Sequence, residues 1–352
     1  MATLLLSELD VHELLPMAEC IDVMADALRR VAEGDAVLPL RTVLRLGETA
    51  NAFIAMPAVL GTGAGASLGA KIITVFPGND ATPFDAHIGV VLLFDADHGT
   101  LLAIADASSI TAIRTSAVSG LATRLLANDD AQTLAILGAG VLAMPHVEAV
   151  CAVRPIERIR VWSRSGASAG SRAQTFASRA RDTFGIDVTV CESVEQAVAD
   201  ADVVCTITSA RAPVLEGRWL RPGTHVNAVG ASMRAARELD TTAVANARLF
   251  GDRRESTLAE SGDVLIPIAE GAFTDAHLLG ELGDLLIGRV QGRTSRDDIT
   301  LFKSLGLAVE DVAALRHIHT KALDTGHGVT VDLGGRRATT PAASGHAMTS
   351  AL

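Results

Sequence analysis

No stretch of the 352 residues reaches the roughly 18 consecutive apolar side chains of a membrane-spanning helix, so no span is expected. The start, MATLLLSELDVHELLP, has a brief leucine run, but Glu8 and Asp10 follow at once and no basic segment precedes it; a secretory signal is not expected. The four cysteines, Cys20, Cys151, Cys191 and Cys205, share no CxxC or metal-ligand spacing, which excludes a disulfide framework or zinc site in favour of reduced thiols in a cytoplasmic protein. An excess of basic residues is also missing. The formal net charge is −11, with the acids spread along the chain, which argues against nucleic acid and predicts solubility only. His317 and His319 lie two apart in RHIHTKALDTGHG, where a helix would point them to different faces, so no metal is expected. No internal repeat or low-complexity tract is present.

What is there reads as globular: 49% hydrophobic and 20% charged residues, in a chain long enough for two domains and a large core. Residues 7–33 have apolar side chains at helical spacing and end at Gly34. From about 37 to 105, VLPLRTVLRLG, AFIAMPAVL, GAKIITVF and HIGVVLLFDADHGTLLAIAD are short β-rich runs broken by Gly, Pro and Asp, which predicts an antiparallel or mixed sheet. DASSITAIRTSAVSGLATRLLAN reads as a long helix with small residues on one side. Then TLAIL, IRVWSRS, VTVCES, DVVCTIT, GTHVNAVGAS and NARLFGD read as strands. The first four alternate with helices over VLAMPHVEAVCAV, SRAQTFASRARDTFG and SVEQAVADA. Such alternation means βαβ units and a parallel sheet. The fold class expected is α/β: a Rossmann dinucleotide-binding domain at 121–317 and an α+β substrate and dimerisation domain at 1–120, completed by 318–352. The segment DDITLFKSLGLAVEDVAALRHIHTKALDTG is expected to be helical and to pack back on the first domain; 336–352 are small and polar.

Gly138-Ala139-Gly140-Val141-Leu142-Ala143 fits GxGxxA between the apolar strand Thr133–Leu137 and a helix. The first glycine permits the tight turn and the second lets backbone approach a pyrophosphate. The small third residue lets helix and strand pack closely, and the helix N-terminus offers N–H groups to phosphate. At the end of the second strand an NAD site wants a carboxylate for the ribose hydroxyls. Here Ser163-Arg164-Ser165 stands instead, and a guanidinium with two hydroxyls suits a 2′-phosphate. NADP(H) is therefore expected in preference to NAD(H). Three basic residues of the first domain sit among apolar or small neighbours: Arg41 in LPLRTVL, Lys71 in LGAKIITVF and Arg114 in ITAIRTSAVSG. Buried charge is costly unless paired. Singly each has a structural reading, with Arg114 pairing to an acid such as Asp106; together they read as a clamp for an anionic substrate.

GAKIITVFPGN, HIGVVLLFDADHGTLLAIADASSITAIRTSAVSGLATRLLA, ILGAGVLA, GTHVNAVGASMRAARELD, ESGDVLIPI and DDITLFKSLGLAVEDVAA resemble the ornithine cyclodeaminase/mu-crystallin family, in order from about Leu38 to Ala314. The resemblance implies a homodimer. It implies that Arg41, Lys71 and Arg114 hold the substrate carboxylate beside the nicotinamide, with Arg114 also a cofactor contact. Ala86 and His87 match a cofactor-contacting pair; Thr208, Ser209, Val229 and Ser304 match further cofactor contacts, and Ser163-Arg164-Ser165 a phosphate-binding turn. Glu260 matches a position that meets ligand in mu-crystallin. Two departures point away from cyclodeamination. Where the cyclodeaminases continue after NAVG to a catalytic aspartate, this chain has Ser232, and a hydroxyl is no general base near neutral pH. The acid those enzymes usually carry after the second Rossmann strand is also missing.

The function expected is reduction of 1-pyrroline-2-carboxylate or 1-piperideine-2-carboxylate to the L-amino acid. Lys71 and His87 are the candidate proton donors, and Ser232 a hydrogen-bonding partner of substrate or water. Reductive amination of a 2-oxo acid, ornithine cyclodeamination and a binding protein like mu-crystallin are the competing readings.

Overall fold

The computed structural model describes residues 2–168 and 170–335; the C-terminal 336–352, expected as a polar tail completing the first domain, lie outside the described residues. Seven strands come first: β1 (Thr3–Leu6), β2 (Ala36–Val37), β3 (Thr42–Arg45), β4 (Ala52–Leu60), β5 (Ser67–Val75), β6 (His87–Phe94) and β7 (Leu101–Asp106). A second set follows: β8 (Thr133–Leu137), β9 (Arg158–Trp162), β10 (Asp187–Val190), β11 (Val203–Thr206), β12 (His225–Ala228), β13 (Arg248–Gly251), β14 (Leu278–Glu281) and β15 (Thr300–Lys303). Last, β16 (Val329–Val331) returns to β1.

The first sheet runs β16-β1-β7-β6-β5-β4-β2, with β3 also on β4; only the β1–β7 pair is parallel. β1 was not anticipated from the leucine run. Along β5, Ser67, Gly69, Lys71 and Ile73 face inward and Leu68, Ala70 and Ile72 outward, the period of two of a pleated strand. Helix Ala308–Thr325 covers the inward face, and so tightly that a Cβ at Gly69 would come within 2.9 Å of Val312.

The second sheet is parallel throughout, in the order β10-β9-β8-β11-β12-β15-β13-β14. Its order reverses between β8 and β11, and a doubly wound sheet binds its ligand outside the carboxyl ends of the strands at that point. Helix Ala107–Leu126 lies between the two sheets, touching β5 and β6 on one side and β12 and β15 on the other. It is buried nearly all round, which is why its serines, threonines and Gly120 are small.

Two expectations need correction. DDITLFK is not helical: Thr300–Lys303 forms β15, fully buried between β12 and β13, and the helix starts only at Ala308. A β-branched and aromatic run flanked by strands is stabilised by the sheet whatever its helical spacing. The expected boundary at 317 falls inside helix Ala308–Thr325, whose buried side chains from Ala308 onward join the core of the first sheet. Phe250 and Phe302 of the second sheet join that same core. Strand β14 had no sequence expectation.

Candidate active site

The glycine turn follows β8. Gly138 has φ +116°, and a Cβ there would lie 2.8 Å from the Ile207 carbonyl oxygen; backbone and packing both require glycine. Its amide donates to the Trp162 carbonyl (2.9 Å), which ties the turn to the end of β9. A Cβ at Gly140 would meet no protein atom within 4 Å, so the space in front of it is open to a ligand. Ala139 and Leu142 are half-buried, and Ala143 begins helix Ala143–Cys151 fully buried against the sheet. Val141 is 79% exposed, an apolar side chain presented to whatever lies over the turn. Beside it, Ser163 is buried with its hydroxyl 2.8 Å from that of Ser165, and Arg164 is exposed. These residues fit a dinucleotide: glycine leaves room at the turn, and the donors beyond β9 suit an anion.

Further along the carboxyl ends of the parallel strands, the Thr208 hydroxyl and amide donate to Glu238 (2.6 and 2.7 Å). Val229 is buried after β12, and the Ser304 amide donates to the Ala228 carbonyl (3.0 Å). Ser209 and Ser232 are exposed. Ala86 lies half-buried before β6, where its carbonyl accepts from the Phe76 amide (2.8 Å).

Two of the three singled-out cations meet on one carboxylate. Lys71, inward on β5, has its Nζ 2.9 Å from Asp311 Oδ2. Arg114, on the long helix, has its Nε 2.9 Å from Asp311 Oδ1 and its Nη1 2.7 Å from Glu310 Oε2. All four side chains are buried. Arg41 stands nearby: its Nη2 donates to the Leu305 (2.8 Å) and Gly306 (3.2 Å) carbonyls, and its Nε pairs with Glu260 Oε2 at 3.0 Å. The Leu305–Gly306 turn is itself held by Asp252, which accepts from both amides (2.6 and 2.7 Å). Arg41, Glu260, Leu38, Leu40, Met56 and Leu307 line a narrow cleft here. Asp106 is not the partner of Arg114; it caps the long helix, accepting from the Ser109 amide (2.7 Å).

Three cations face Asp311, Glu310 and Glu260 in this cluster, with Asp252 behind the turn. The sequence reading missed these carboxylates as partners of the basic cluster, and also Asp252. The signal was an acidic pair, Glu310-Asp311, inside a helix whose first turns are wholly apolar otherwise. Burial, then the charge of Arg114 and, more weakly, of Arg41, push the Lys71 ammonium down to about 8 against the pull of Asp311. Burial pushes Glu310 up to about 7, opposed by Arg114. His87 opens to solvent at the start of β6; crowding by surrounding protein and the charge of Lys71 hold its ring below the ordinary histidine range. Among the described residues, neither His87 nor Ser232 hydrogen-bonds the cluster.

The model of the ornithine cyclodeaminase/mu-crystallin family matches residues 1–326. The chain is 40% identical over 287 residues to the ketimine reductase mu-crystallin of Mus musculus, covering 82% of this chain and 86% of that one. Among solved structures it resembles the Delta(1)-pyrroline-2-carboxylate reductase of Thermococcus litoralis, in complex with NADH and L-proline, at 37% identity and TM-score 0.89, covering 94% of this chain and 100% of that one. An archaeal alanine dehydrogenase dimer with bound NAD follows at 29% identity and TM-score 0.87, covering 95% and 100%. Fold order, glycine turn and these likenesses agree: the chain belongs to the ornithine cyclodeaminase/mu-crystallin family.

Proposed function

We propose that this protein is an NADP(H)-dependent reductase that converts a small cyclic 2-imino acid, 1-pyrroline-2-carboxylate or 1-piperideine-2-carboxylate, to the L-amino acid. One observation carries the reading: the Lys71–Arg114–Arg41 cluster lies at the carboxyl ends of the parallel strands, tied there by the Leu305–Gly306 turn, on the side where a doubly wound sheet takes its cofactor. The Thermococcus relative holding NADH and L-proline supports it.

Reduction of C=N delivers a hydride to carbon and a proton to nitrogen; the nicotinamide cofactor supplies the hydride when bound. The turn at Gly138–Leu142 would hold its pyrophosphate, and Thr208, Ser209, Val229, Ser304 and the Ala86–His87 pair would line the rest. The chain's own residues do three things. Arg41 and Arg114 fix the substrate carboxylate, and the ion pairs behind them hold the guanidiniums still, so that orientation comes prepaid in folding. Lys71 donates the proton to the imine nitrogen, since it lies in the cluster and carries a proton at neutral pH. His87, exposed and held neutral, serves as a cofactor contact. Glu260, paired to Arg41 at the cleft wall, meets the substrate side of the pocket, and Ser232 offers a hydroxyl where a cyclodeaminase needs a carboxylate.

The phosphorylated cofactor is supported by Arg164, Ser163 and Ser165 beyond β9, although the solved relatives hold NADH and NAD. Oxidation of NADPH and of NADH against both imino acids tests the whole proposal. NADPH should win by about 10-fold or more in kcat/KM, the worth of a charge-assisted hydrogen bond. Equal use of both cofactors sinks the NADP assignment. Inactivity with both imines, alongside turnover of pyruvate with ammonia or methylamine, would reassign the enzyme to reductive amination.

A homodimer completes the proposal. On the face of the first sheet away from helix Ala308–Thr325, the rows Pro57, Ala70, Leu92 and Ala55, Ile72, Val90 are apolar and only half-buried or exposed in the single chain, a surface that fits a second copy.

A further inference from the structure

The chain has three lysines against 27 arginines. Two of the three, Lys71 and Lys303, are among its most buried large side chains. The third, Lys321, pairs with Glu19 at the surface, whereas the two buried ones each bring a compact ammonium into the interior. Lys303 ends β15 with its ammonium donating to the Ala231 (2.6 Å) and Ala228 (3.2 Å) carbonyls and ion-paired to Asp263 Oδ2 at 3.0 Å. A planar guanidinium cannot converge its donors on acceptors spaced around one point.

Those two carbonyls bracket Val229-Gly230, and the segment continues to Ser232. Asp263 reaches further. Its Oδ1 accepts from the amides of Glu238 (2.8 Å) and Leu239 (3.0 Å). The Glu238 carboxylate then accepts from the Gly230 amide (2.7 Å), the Thr206 hydroxyl (2.9 Å), and the Thr208 amide and hydroxyl. A Cβ at Gly230 would strike the Thr208 carbonyl oxygen at 2.1 Å and Glu238 Oε1 at 2.6 Å, so the two strand-end segments touch with no spare room. One buried network thus fixes both segments after β11 and β12, and none of its three charged members is otherwise used.

We propose that Lys303 is a positioning residue for the nicotinamide half of the cofactor site, acting through the Ala228–Ala231 segment, with Asp263 and Glu238 as its partners. This rests on the nicotinamide reading above. Lys303 touches neither substrate nor cofactor; it sets where Val229, Thr208 and Ser232 stand.

The test compares the full-length protein with Lys303→Arg, Glu238→Gln and the double variant Lys303→Met/Asp263→Asn, which removes the ion pair together and leaves the Glu238 carboxylate to its four hydrogen-bond donors. NADPH and NADH affinities are read by titrating nicotinamide fluorescence, folding by thermal melts, and kcat and KM for the imino acid at saturating cofactor. The folded double variant and Glu238→Gln should each bind cofactor about tenfold or more weakly and lose kcat, with the imino-acid KM little changed because the clamp is intact. Lys303→Arg should lose as much although it keeps the charge. A folded double variant with wild-type cofactor affinity and kcat overturns the proposal. So does a failure of both the double variant and Glu238→Gln to fold, since the network would then serve the fold alone. Wild-type protein that binds neither nucleotide overturns the cofactor reading instead.

Discussion

At the scale of single residues, the basic cluster was legible because Arg41, Lys71 and Arg114 interrupt apolar or small stretches, where an unpaired charge is costly. Their partners were not, because Glu310 and Asp311 sit 196 and 197 residues from Arg114 in sequence, and only the folded chain shows which acid meets which base. Lys71 carries the sharpest prediction. With its ammonium near 8, it is charged below that pH and loses its proton above. If it is the proton donor, log kcat/KM should fall as pH rises past about 8, beyond any break from Glu310 near 7. Lys71→Met should lose on the order of 10²-fold or more, the usual worth of a positioned acid. A profile with no break in that region, measured with cofactor and imino acid at fixed subsaturating levels, would return the proton-donor role to His87 or solvent.

At the scale of elements, alternation of strand and helix predicted the parallel sheet through β8, β9, β10 and β11. It failed at Thr300–Lys303, where helical spacing in a longer window masked a four-residue strand. Gly306 has φ +77°, and a Cβ there would lie 2.5 Å from Arg114 Nη1, a group that moves only by loosening its ion pairs to Glu310 and Asp311. Gly306→Ala should therefore cost roughly 1–3 kcal/mol of stability from backbone strain and displace the guanidinium. Thermal melts should show the first effect and a fall in kcat/KM, mainly through KM, the second. Unchanged kinetics in a destabilised Gly306→Ala protein would mean that Arg114 does not set substrate binding.

At the scale of the whole molecule, the outer face of the first sheet has no expectation from period-two patterning alone, because β4, β5 and β6 are apolar on both faces. Strands apolar on both sides are expected to be covered on both, and among the described residues helices cover one. Light scattering should give twice the chain mass. Ile72→Lys, a change far from the glycine turn in sequence and on the face opposite Lys71, should give the single mass. A wild-type protein that stays monomeric at micromolar concentration would leave that face without the second copy assigned to it.

The helix Ala107–Leu126 packs on both sheets, and Phe250 and Phe302 cross from the second half into the core of the first. Among the described residues, a partition common to both halves leaves no loose hinge about which they could swing like jaws, since interdomain swings need a small, wet contact. Access and release in this enzyme then belong to the short loops over the strand ends, and crystals of free and ligand-filled protein should superimpose as nearly one rigid frame.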